Sequence, residues 1–283
     1  MKILVTGSQG YIGTAVTKRL GELGHVTISL DSVLGHDLNS PDSDPLFYEE
    51  TDVVVHLAAL AGVEGSDKEL DDYFQNNTVA TFRLLELIRK FKVPKLVFAS
   101  SCSVYGNNSD CKETDELKPK SFYGLSKVLC ENLIEHYGRE YGLSYANLRI
   151  FNAIGPGPET PFQKARLLPN LVNKIRSNHF IDIFDGEDGE QQKRDFIDVE
   201  DVAESICKFT IGTAANGAYN VGTGRGRTVL EVADKVGQTL RKLYSFQKKK
   251  GREGDCNINI ANTDKNVWGL KFTPIEETIS KIL

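Results

Sequence analysis

A strand followed at once by three evenly spaced glycines opens the chain and limits its fold more than any other feature. Gly7, Gly10 and Gly13 recur at every third position after the apolar run Lys2–Thr6. In this spacing the first glycine permits a tight turn, the second lets the backbone approach a pyrophosphate, and the third lets the following helix pack closely against the sheet. N–H groups at the start of that helix can then meet phosphate oxygens. The sequence therefore predicts a strand, turn and helix that bind a dinucleotide.

Three glycines alone also occur in ordinary strand-to-helix turns, so the residue after the second strand decides between the two interpretations. Asp31 follows the run Val26–Leu30, about twenty residues past the turn, where a carboxylate accepts hydrogen bonds from the adenosine ribose hydroxyls. A carboxylate in this place repels a 2′-phosphate. The sequence therefore favours NAD over NADP as the cofactor.

Short β-rich apolar runs alternate with longer helical patterns through the first half of the chain. Strands are predicted at Lys2–Thr6, Val26–Leu30, 52–58, Lys95–Ser101 and 145–150, and helices at 12–23, 69–91 and Phe122–Tyr141. Such alternation is typical of a parallel sheet with crossover helices on both faces. We expect an α/β fold with a Rossmann-type doubly wound parallel sheet.

The pattern changes after Arg149, where glycines and prolines at 155–158 predict a loop and a second unit. Further helices are predicted at 167–175 and 198–209, and a glycine-rich turn at 220–226. Capping-box patterns at Thr228 and Thr273 predict helices that begin near Val229 and Pro274. Residues 1–152 plus about 196–222 are thus expected to form the NAD-binding domain, and about 153–195 and 223–283 a small C-terminal substrate-binding α/β subdomain.

Charge and composition narrow the choice of partners. The formal net charge of −5 gives no electrostatic reason to expect nucleic acid or an anionic membrane, and no apolar run is long enough to be a signal peptide or a membrane span. The five cysteines are odd in number and lack a CxxC spacing. We therefore expect unpaired thiols, no metal site and a cytoplasmic location.

A tyrosine and a lysine in the helix predicted at Phe122–Tyr141 could carry chemistry. Tyr123 and Lys127 stand four residues apart and so share one helix face. A phenol needs its pKa of about 10 lowered to act as a base near neutrality, and a nearby ammonium does this by stabilising the phenolate. The lysine could also hydrogen-bond the nicotinamide ribose. An exposed helix face without a function is the competing interpretation.

A serine cluster at 100–103 follows the strand predicted at Lys95–Ser101. Because open α/β sheets bind ligands at the carboxyl ends of their strands, one of these hydroxyls is expected to face the substrate. A glycine turn, a strand-end hydroxyl and a tyrosine–lysine pair together favour an active site over a plain helix face.

These residues resemble the extended short-chain dehydrogenase/reductases, and within them the nucleotide-sugar 4-epimerases of UDP-glucose/UDP-galactose 4-epimerase type. The resemblance runs nearly from end to end. It rests on motifs at 6–13, Asp31, 56–59, 76–81, 100–106, 123–127, 148–152, 194–199, 220–224 and 252–255.

The resemblance implies a role for each matching residue. Ser101, Tyr123 and Lys127 are implied as catalytic residues, with Tyr123 as the acid/base and Ser101 hydrogen-bonded to the reacting sugar oxygen. The implied cofactor-binding residues are Gly7, Gln9, Gly10, Tyr11, Ile12, Gly13, Asp31, Asp37, Leu38, Leu57, Ala58, Ala59, Tyr123 and Lys127. The implied substrate-binding residues are Asn77, Ser101, Tyr123, Asn152, Arg194, Arg252 and Asp255, with the arginines facing a diphosphate. Asn77 and Asn152 could instead cap turns, and Arg252 could belong to a basic loop.

The reaction implied by the resemblance is epimerisation at C4 of a nucleotide sugar through a transient 4-keto sugar, with NAD bound throughout. A 4,6-dehydratase is disfavoured, because Cys102 and Ser103 stand where those enzymes carry an Asp–Glu pair. A nucleotide-sugar ketoreductase and a non-catalytic dinucleotide sensor remain as alternatives. A small residue, Asn259, where some strict hexose epimerases carry tyrosine, would suit an N-acetylated sugar, so UDP-hexose and UDP-N-acetylhexosamine both stay open. The family also implies a homodimer through helices 69–91 and Phe122–Tyr141.

The chain departs from the family pattern in several places. Only a few residues separate Asp31 from Asp37 and Leu38, which predicts a reduced sheet edge. Ala61 stands near a position where many epimerases have lysine, and Asp198 where the family more often has histidine or tyrosine.

Overall fold

The computed structural model describes residues 1–39, 45–63, 66–158, 167–186, 189–251, 256–262 and 269–283. Within them the strands are β1 (Lys2–Thr6), β2 (Val26–Leu30), β3 (Val53–His56), β4 (Lys95–Ser101), β5 (Asn108–Cys111), β6 (Ser144–Ile150), β7 (Asn152–Ile154), β8 (Ile181–Phe184), β9 (Lys193–Asp198), β10 (Gly217–Val221), β11 (Gly226–Thr228), β12 (Phe246–Lys249) and β13 (Ile258–Ala261). The α-helices are α1 (Tyr11–Glu22), α2 (Leu70–Tyr73), α3 (Ala80–Phe91), α4 (Phe122–Tyr141), α5 (Leu167–Arg176), α6 (Val199–Ile211), α7 (Val229–Leu240) and α8 (Ile275–Ser280).

A parallel sheet in the order β10-β6-β4-β3-β1-β2 forms the first unit of the described chain. Alternate residues of β1 face opposite layers: Ile3 and Val5 join a core with α1 and α6, whereas Leu4 joins a core with α3 and α4. Burying each such side chain contributes about 1.5–3 kcal/mol. This confirms the predicted Rossmann-type sheet with helices on both faces.

A second sheet lies beyond the carboxyl ends of the first. Its described strands run in the order β11-β9-β13-β5, with β7 paired to β9, and β12 pairs with β8 separately. A third core packs α5, α7 and α8 together, with Leu168, Val232 and Ile275 among its buried members. Strand β5 belongs to this second sheet although it lies within residues 1–152, so the first half of the chain also contributes a strand to the second sheet.

The edge of the first sheet is short, as predicted. After β2 the described chain forms only the 3₁₀ turns Ser32–Leu34 and Pro45–Phe47 before β3 begins. Strand β2 is therefore the outer strand on this side, and Val26 at its start is 65% exposed.

Several predicted boundaries are wrong for identifiable reasons. The helix predicted at 69–91 contains a π-helical turn, Phe74–Val79, between α2 and α3. Asp198 ends β9 and caps α6, with its carboxylate accepting a hydrogen bond from Glu200 N at 2.8 Å. Thr228 and Glu231 form the predicted capping box. Thr273 does not cap α8, because its hydroxyl donates to Asp201 instead.

Other differences are small. The strand predicted at 52–58 is confined to β3, and Asn220 lies in β10 rather than in a turn. No helix of the described residues is long and apolar enough to cross a membrane. None of the five cysteines, all within the described ranges, forms a disulfide.

Candidate active site

The turn between β1 and α1 requires glycine at two of its three glycine positions. Gly7 has a positive φ of 67°, and a Cβ atom there would lie 2.7 Å from the backbone nitrogen of Ala58. A Cβ atom on Gly13 would lie 2.0 Å from the carbonyl oxygen of Gly7. The third glycine thus lets α1 pack on the turn itself rather than on the sheet. At Gly10 a Cβ atom would meet only that same carbonyl, at 3.1 Å, which leaves this side of the turn open to a groove.

Asp31 joins the end of β2 to the glycine turn. One carboxylate oxygen accepts a hydrogen bond from Gln9 N at 2.9 Å, and the other accepts one from Val33 N at 3.0 Å. Each carboxylate oxygen has a second lone pair that can accept from a ribose hydroxyl. Asp31 therefore orders the turn and still presents acceptors to the groove.

The groove follows the carboxyl ends of β1, β2, β3 and β4. It is lined by most of the residues expected to bind cofactor, namely Gly7, Gln9, Gly10, Tyr11, Ile12, Gly13, Asp31, Asp37, Leu38, Leu57, Ala58 and Ala59. Ala61 and Ala99 also line it, so small side chains predominate on the side of β3 and β4.

Asn77 is not among the residues that line this groove, and its expected role as a substrate ligand stays a prediction. It lies in the π-helical turn and is 2% exposed. Its Oδ1 accepts from Leu60 N at 2.8 Å, while Nδ2 donates to Leu60 O at 3.1 Å and to Ser126 Oγ at 3.0 Å. Because these contacts occupy the amide, Asn77 supports the groove wall after β3.

The structure brings the three predicted catalytic side chains together. Ser121 caps α4, with its hydroxyl accepting from Gly124 N at 3.1 Å, and this places Tyr123 in the first helical turn. The Tyr123 phenol hydrogen-bonds Ser101 at the end of β4. One turn further along α4, Lys127 Nζ donates to Ala99 O at 2.8 Å and lies 5.9 Å from the centroid of the Tyr123 ring. The hydroxyl, phenol and ammonium therefore converge where β4 meets the groove.

Burial governs the protonation of this pair. It raises the pKa of Tyr123 to about 12, although the hydrogen bond with Ser101 acts in the opposite direction. It lowers the pKa of Lys127 to about 8. The Lys127 ammonium is directed at the Ala99 carbonyl in this structure, and its role in lowering the pKa of the phenol stays a prediction.

The neighbours of Ser101 have other tasks. Ser103 Oγ lies 3.2 Å from Ser101 Oγ, within hydrogen-bond range, and belongs to the 3₁₀ turn Cys102–Val104. Ser100 donates to Glu131 of α4. Burial raises the pKa of the Cys102 thiol. Cys102, which stands where the resemblance places an acid of the dehydratases, is therefore a thiol that stays protonated.

The remaining predicted substrate residues lie on or beside the second sheet. Asn152 in β7 donates from Nδ2 to Asp195 O at 3.0 Å. Arg194 in β9 donates to Gln192 Oε1 at 3.0 Å and to Lys193 O at 3.2 Å. The first of these hydrogen bonds is half-buried and the second is exposed. Arg252 and Asp255 lie outside the described residues.

Asp195 is a supporting residue that sequence reasoning did not single out. It is fully buried and its carboxylate accepts from Thr223 N at 3.0 Å, Gly224 N at 2.8 Å and Ala261 N at 3.2 Å. It thereby joins β9, the turn after β10 and β13. An aspartate next to the apolar pair Phe196 and Ile197 of the strand, together with a distant glycine-rich turn, is the sequence signal for such a contact.

A doubly wound sheet with a glycine turn, an acidic residue after β2 and a strand-end Ser–Tyr–Lys set defines a dinucleotide-dependent enzyme of short-chain dehydrogenase/reductase type. Residues 3–222 match the sequence model of the NAD dependent epimerase/dehydratase family. The chain belongs to this family.

Similar proteins cover the chain almost completely. UDP-glucose 4-epimerase of Halalkalibacterium halodurans is 30% identical over 99% of this chain and 93% of its own length. The structure of Thermus thermophilus UDP-glucose 4-epimerase in complex with NAD matches with a TM-score of 0.87 and 28% identity, over 99% of this chain and 98% of that one. UDP-N-acetylglucosamine 4-epimerase of Methanobrevibacter ruminantium, in complex with UDP-N-acetylmuramic acid, matches with a TM-score of 0.84 and 26% identity, over 99% and 97%.

Proposed function

We propose that this protein is an NAD-dependent nucleotide-sugar 4-epimerase that acts through a transient 4-keto sugar. The convergence of Ser101, Tyr123 and Lys127 at the end of β4, beside the glycine-turn groove, carries the proposal. Its family membership and the activities named for its relatives support it.

The residues of the groove fit NAD. The close approaches at Gly7 and Gly13 leave the turn without side chains, and Asp31 presents acceptors at the end of β2. The alanines at 58, 59 and 61 leave room beside β3. When bound in this groove, NAD would supply the hydride acceptor, and then the hydride donor, that a change of configuration at C4 requires.

The protein's own groups manage the proton of the C4 hydroxyl. Ser101 hydrogen-bonds the reacting oxygen and orients it toward the phenol. Tyr123 takes the hydroxyl proton in the first half of the reaction and gives it back in the second. Because burial is the main cause that raises the pKa of Tyr123 to about 12, its deprotonation depends on positive charge nearby, which the Lys127 ammonium supplies. Much of the rate enhancement then comes from orientation.

For the substrate we propose a UDP-hexose or a UDP-N-acetylhexosamine, held in part by Asn152 and Arg194 beside the second sheet and also by Arg252 and Asp255. Asn259 is 2% exposed, and its amide donates to Cys102 O at 3.1 Å and Gly106 O at 3.0 Å. Asn259 is smaller than tyrosine, and its amide is bound to the turn after Ser101. The space that a tyrosine would fill favours the larger, N-acetylated sugar.

Two measurements test the proposal. Mass spectrometry of the compounds released on denaturing the purified protein should find NAD, and with it a nucleotide sugar if one is retained. Incubation with UDP-, GDP-, CDP- and dTDP-sugars should then show C4 interconversion without added reductant. The absence of any C4 interconversion across this panel would rule the proposal out.

A nucleotide-sugar ketoreductase is the second candidate, because it uses the same Ser–Tyr–Lys set. Its signature would be oxidation of one NAD(P)H for each sugar converted. A dinucleotide sensor without catalysis would instead be indicated if Tyr123→Phe behaved like the wild type in every assay.

We further propose a homodimer in the cytoplasm. Large apolar side chains are exposed on the two helical segments expected to pair, including Phe82 at 45% on α3 and Leu125 at 40% on α4. Five cysteines without a disulfide suit a reducing compartment.

A further inference from the structure

One face of α4 contacts three successive residues at the end of β4. Tyr123, Lys127 and Glu131 stand at intervals of four and therefore share this face. Tyr123 hydrogen-bonds Ser101, Lys127 donates to Ala99 O, and Glu131 accepts from Ser100 Oγ. The function assigned above uses the first two contacts and leaves the third without a role.

Glu131 also forms a buried ion pair with β6. Arg149 lies opposite Ser100 in the pairing of β4 with β6. Its Nη2 donates to Glu131 Oε2 at 2.8 Å and its Nε to Oε1 at 3.1 Å, and both side chains are only 6% exposed. Such a two-point contact fixes orientation as well as distance.

The outer side of the guanidinium is satisfied as well. Arg149 Nη1 donates to the Tyr105 hydroxyl at 2.9 Å and to Glu113 O at 3.1 Å, and that hydroxyl donates to Asn220 Oδ1 at 2.7 Å in β10. Burial opposes the charge of Arg149, but its hydrogen bonds with Glu131 raise its pKa above the usual value. Removal of one partner of such a buried ion pair leaves the other uncompensated.

We propose that Glu131 and Arg149 are positioning residues for the Ser101, Tyr123 and Lys127 set: they fix α4 to the carboxyl ends of β4 and β6. This inference rests on the proposed function. A helix held at Tyr123 and Lys127 alone could slide or tilt along β4, whereas the third contact fixes its height relative to Ser101. A small displacement in such an arrangement costs catalysis before it costs binding.

Glu131 and Arg149 carry opposite charges, so the ion pair adds no net charge next to Lys127. The charged and titratable groups around Lys127 and the pair are Tyr123, Cys130 and Glu131 from α4, His56 from β3, Tyr105 after β4, Glu113, and Tyr145 and Arg149 from β6. Burial lowers the pKa of Lys127 to about 8, and the charge of Glu131 acts against that fall. Removing either half of the pair must therefore change the protonation of Lys127, in opposite directions.

The test compares Glu131→Gln, Arg149→Met and the double variant with the wild type, using kcat against pH with NAD and a substrate from the panel above. Glu131→Gln keeps the side-chain shape but leaves Arg149 unpaired. It should lower kcat at least about tenfold with KM within threefold, and move the basic limb of the profile to lower pH. Arg149→Met should move that limb to higher pH. The double variant removes both charges and should return it toward the wild-type position.

Ser100→Ala keeps the ion pair, removes only the contact with β4, and provides a variant that should fold. It should lower kcat severalfold without moving the pH profile. Ile134→Val, in the fully buried face one turn further along α4, is the control for general loosening and should lower the melting temperature while kcat is unchanged.

Hydrogen exchange of a peptide spanning α4 separates this inference from the proposed function, because it needs no turnover. Exchange at Tyr123 to Lys127 should be faster in Ser100→Ala and Glu131→Gln than in wild type or Ile134→Val, whatever the substrate. Unchanged exchange, or pH limbs that fail to move in opposite directions in the two single variants of an active enzyme, would overturn the inference. A wild type without C4 activity but with the expected exchange differences would count only against the proposed function.

Discussion

Tyr123 and Lys127 are both buried, and burial moves their pKa values apart, up to about 12 for the phenol and down to about 8 for the ammonium. The buried Tyr123 phenol keeps its proton unless a nearby positive charge or the substrate favours its release. Proton transfer to and from the sugar therefore requires the Tyr123 hydroxyl. Tyr123→Phe should therefore lower kcat by about 10²–10⁴-fold. The melting temperature and the NAD content of the purified protein should stay near the wild-type values, because the ring is retained.

The control for this substitution is Tyr73→Phe. The Tyr73 ring meets that of Tyr123 edge to face at 6.3 Å, while its hydroxyl donates to Gly62 O at 3.1 Å rather than to Ser101 or Lys127. It should retain most of the activity. Equal losses in the two variants would show that ring packing, and not the Tyr123 hydroxyl, is what matters.

His56 is a buried imidazole whose two ring nitrogens each contact a threonine hydroxyl. The Thr81 hydroxyl donates to Asn77 O at 2.6 Å and must therefore accept from His56 Nε2, at 2.9 Å. His56 Nδ1 is then an acceptor for Thr6 Oγ1 at 2.7 Å. Burial, with a smaller effect of the Lys127 charge, lowers the pKa of His56 to about 3. The ring is thus neutral in the folded protein, and protonation breaks this chain of hydrogen bonds.

The pH dependence of stability follows from this pKa. Below about pH 6.5 the His56 imidazole is protonated in the unfolded chain, whereas in the folded protein it stays neutral down to about pH 3. The stabilisation from this group is therefore fully present above about pH 6.5 and is lost as the pH falls through this window. The slope from this group is at most about 1.4 kcal/mol per pH unit. Urea unfolding at pH 7 and pH 5 should show a smaller loss in His56→Gln than in wild type. The same loss in both proteins would contradict the assignment.

At the scale of elements, the β1–α1 turn tolerates no side chain at its third glycine. Gly13→Ala would place a Cβ atom 2.0 Å from Gly7 O, so the helix must move away from the turn. We expect loss of bound NAD and a lower melting temperature. Gly21 in the same helix has nothing within 4 Å of its would-be Cβ, and Gly21→Ala should keep NAD and gain up to about 1 kcal/mol. If both variants keep NAD, the groove is not where the cofactor binds.

Local patterns explain which elements could be predicted from the sequence. The glycine turn, the spacing of Tyr123 and Lys127 and the capping box at Thr228 depend on residues within a few positions of one another, and the structure has each of them. The π-helical turn Phe74–Val79 gives no periodic signal, since one inserted residue changes which side chains face inward. Asn77 lies within this turn, and its amide contacts Leu60.

Contacts between distant strands could not be predicted in the same way. Strand β5 enters the second sheet, and Ser100 meets Glu131 and Arg149, only because the register of several strands is fixed together. Nor does spacing reveal burial, which sets the pKa of Tyr123. A tyrosine and a lysine four apart predict a shared face, but the sign of the pKa shift depends on what covers that face.

At the scale of the whole molecule, the exposed apolar side chains on α3 and α4 predict self-association. Phe82 and Leu125 are 45% and 40% exposed, on helices that pack side by side in the core beneath them. A protomer that pairs these helices with a second copy would bury both side chains. Sedimentation at micromolar protein should give a dimer for the wild type and a monomer for Phe82→Glu, with the melting temperature of the variant reporting the loss of the interface.

The matched control for this prediction lies at the far end of the fold. Leu243, after α7, is 96% exposed, so Leu243→Glu makes the same kind of change in charge and hydrophobicity away from α3 and α4. It should leave the dimer intact. Since Tyr123 and Lys127 lie on α4, whose outer face would be covered in the dimer, the monomeric variant should also show faster hydrogen exchange in that helix. A wild type that sediments as a monomer, or a Leu243→Glu variant that dissociates while Phe82→Glu does not, would contradict dimerisation through α3 and α4.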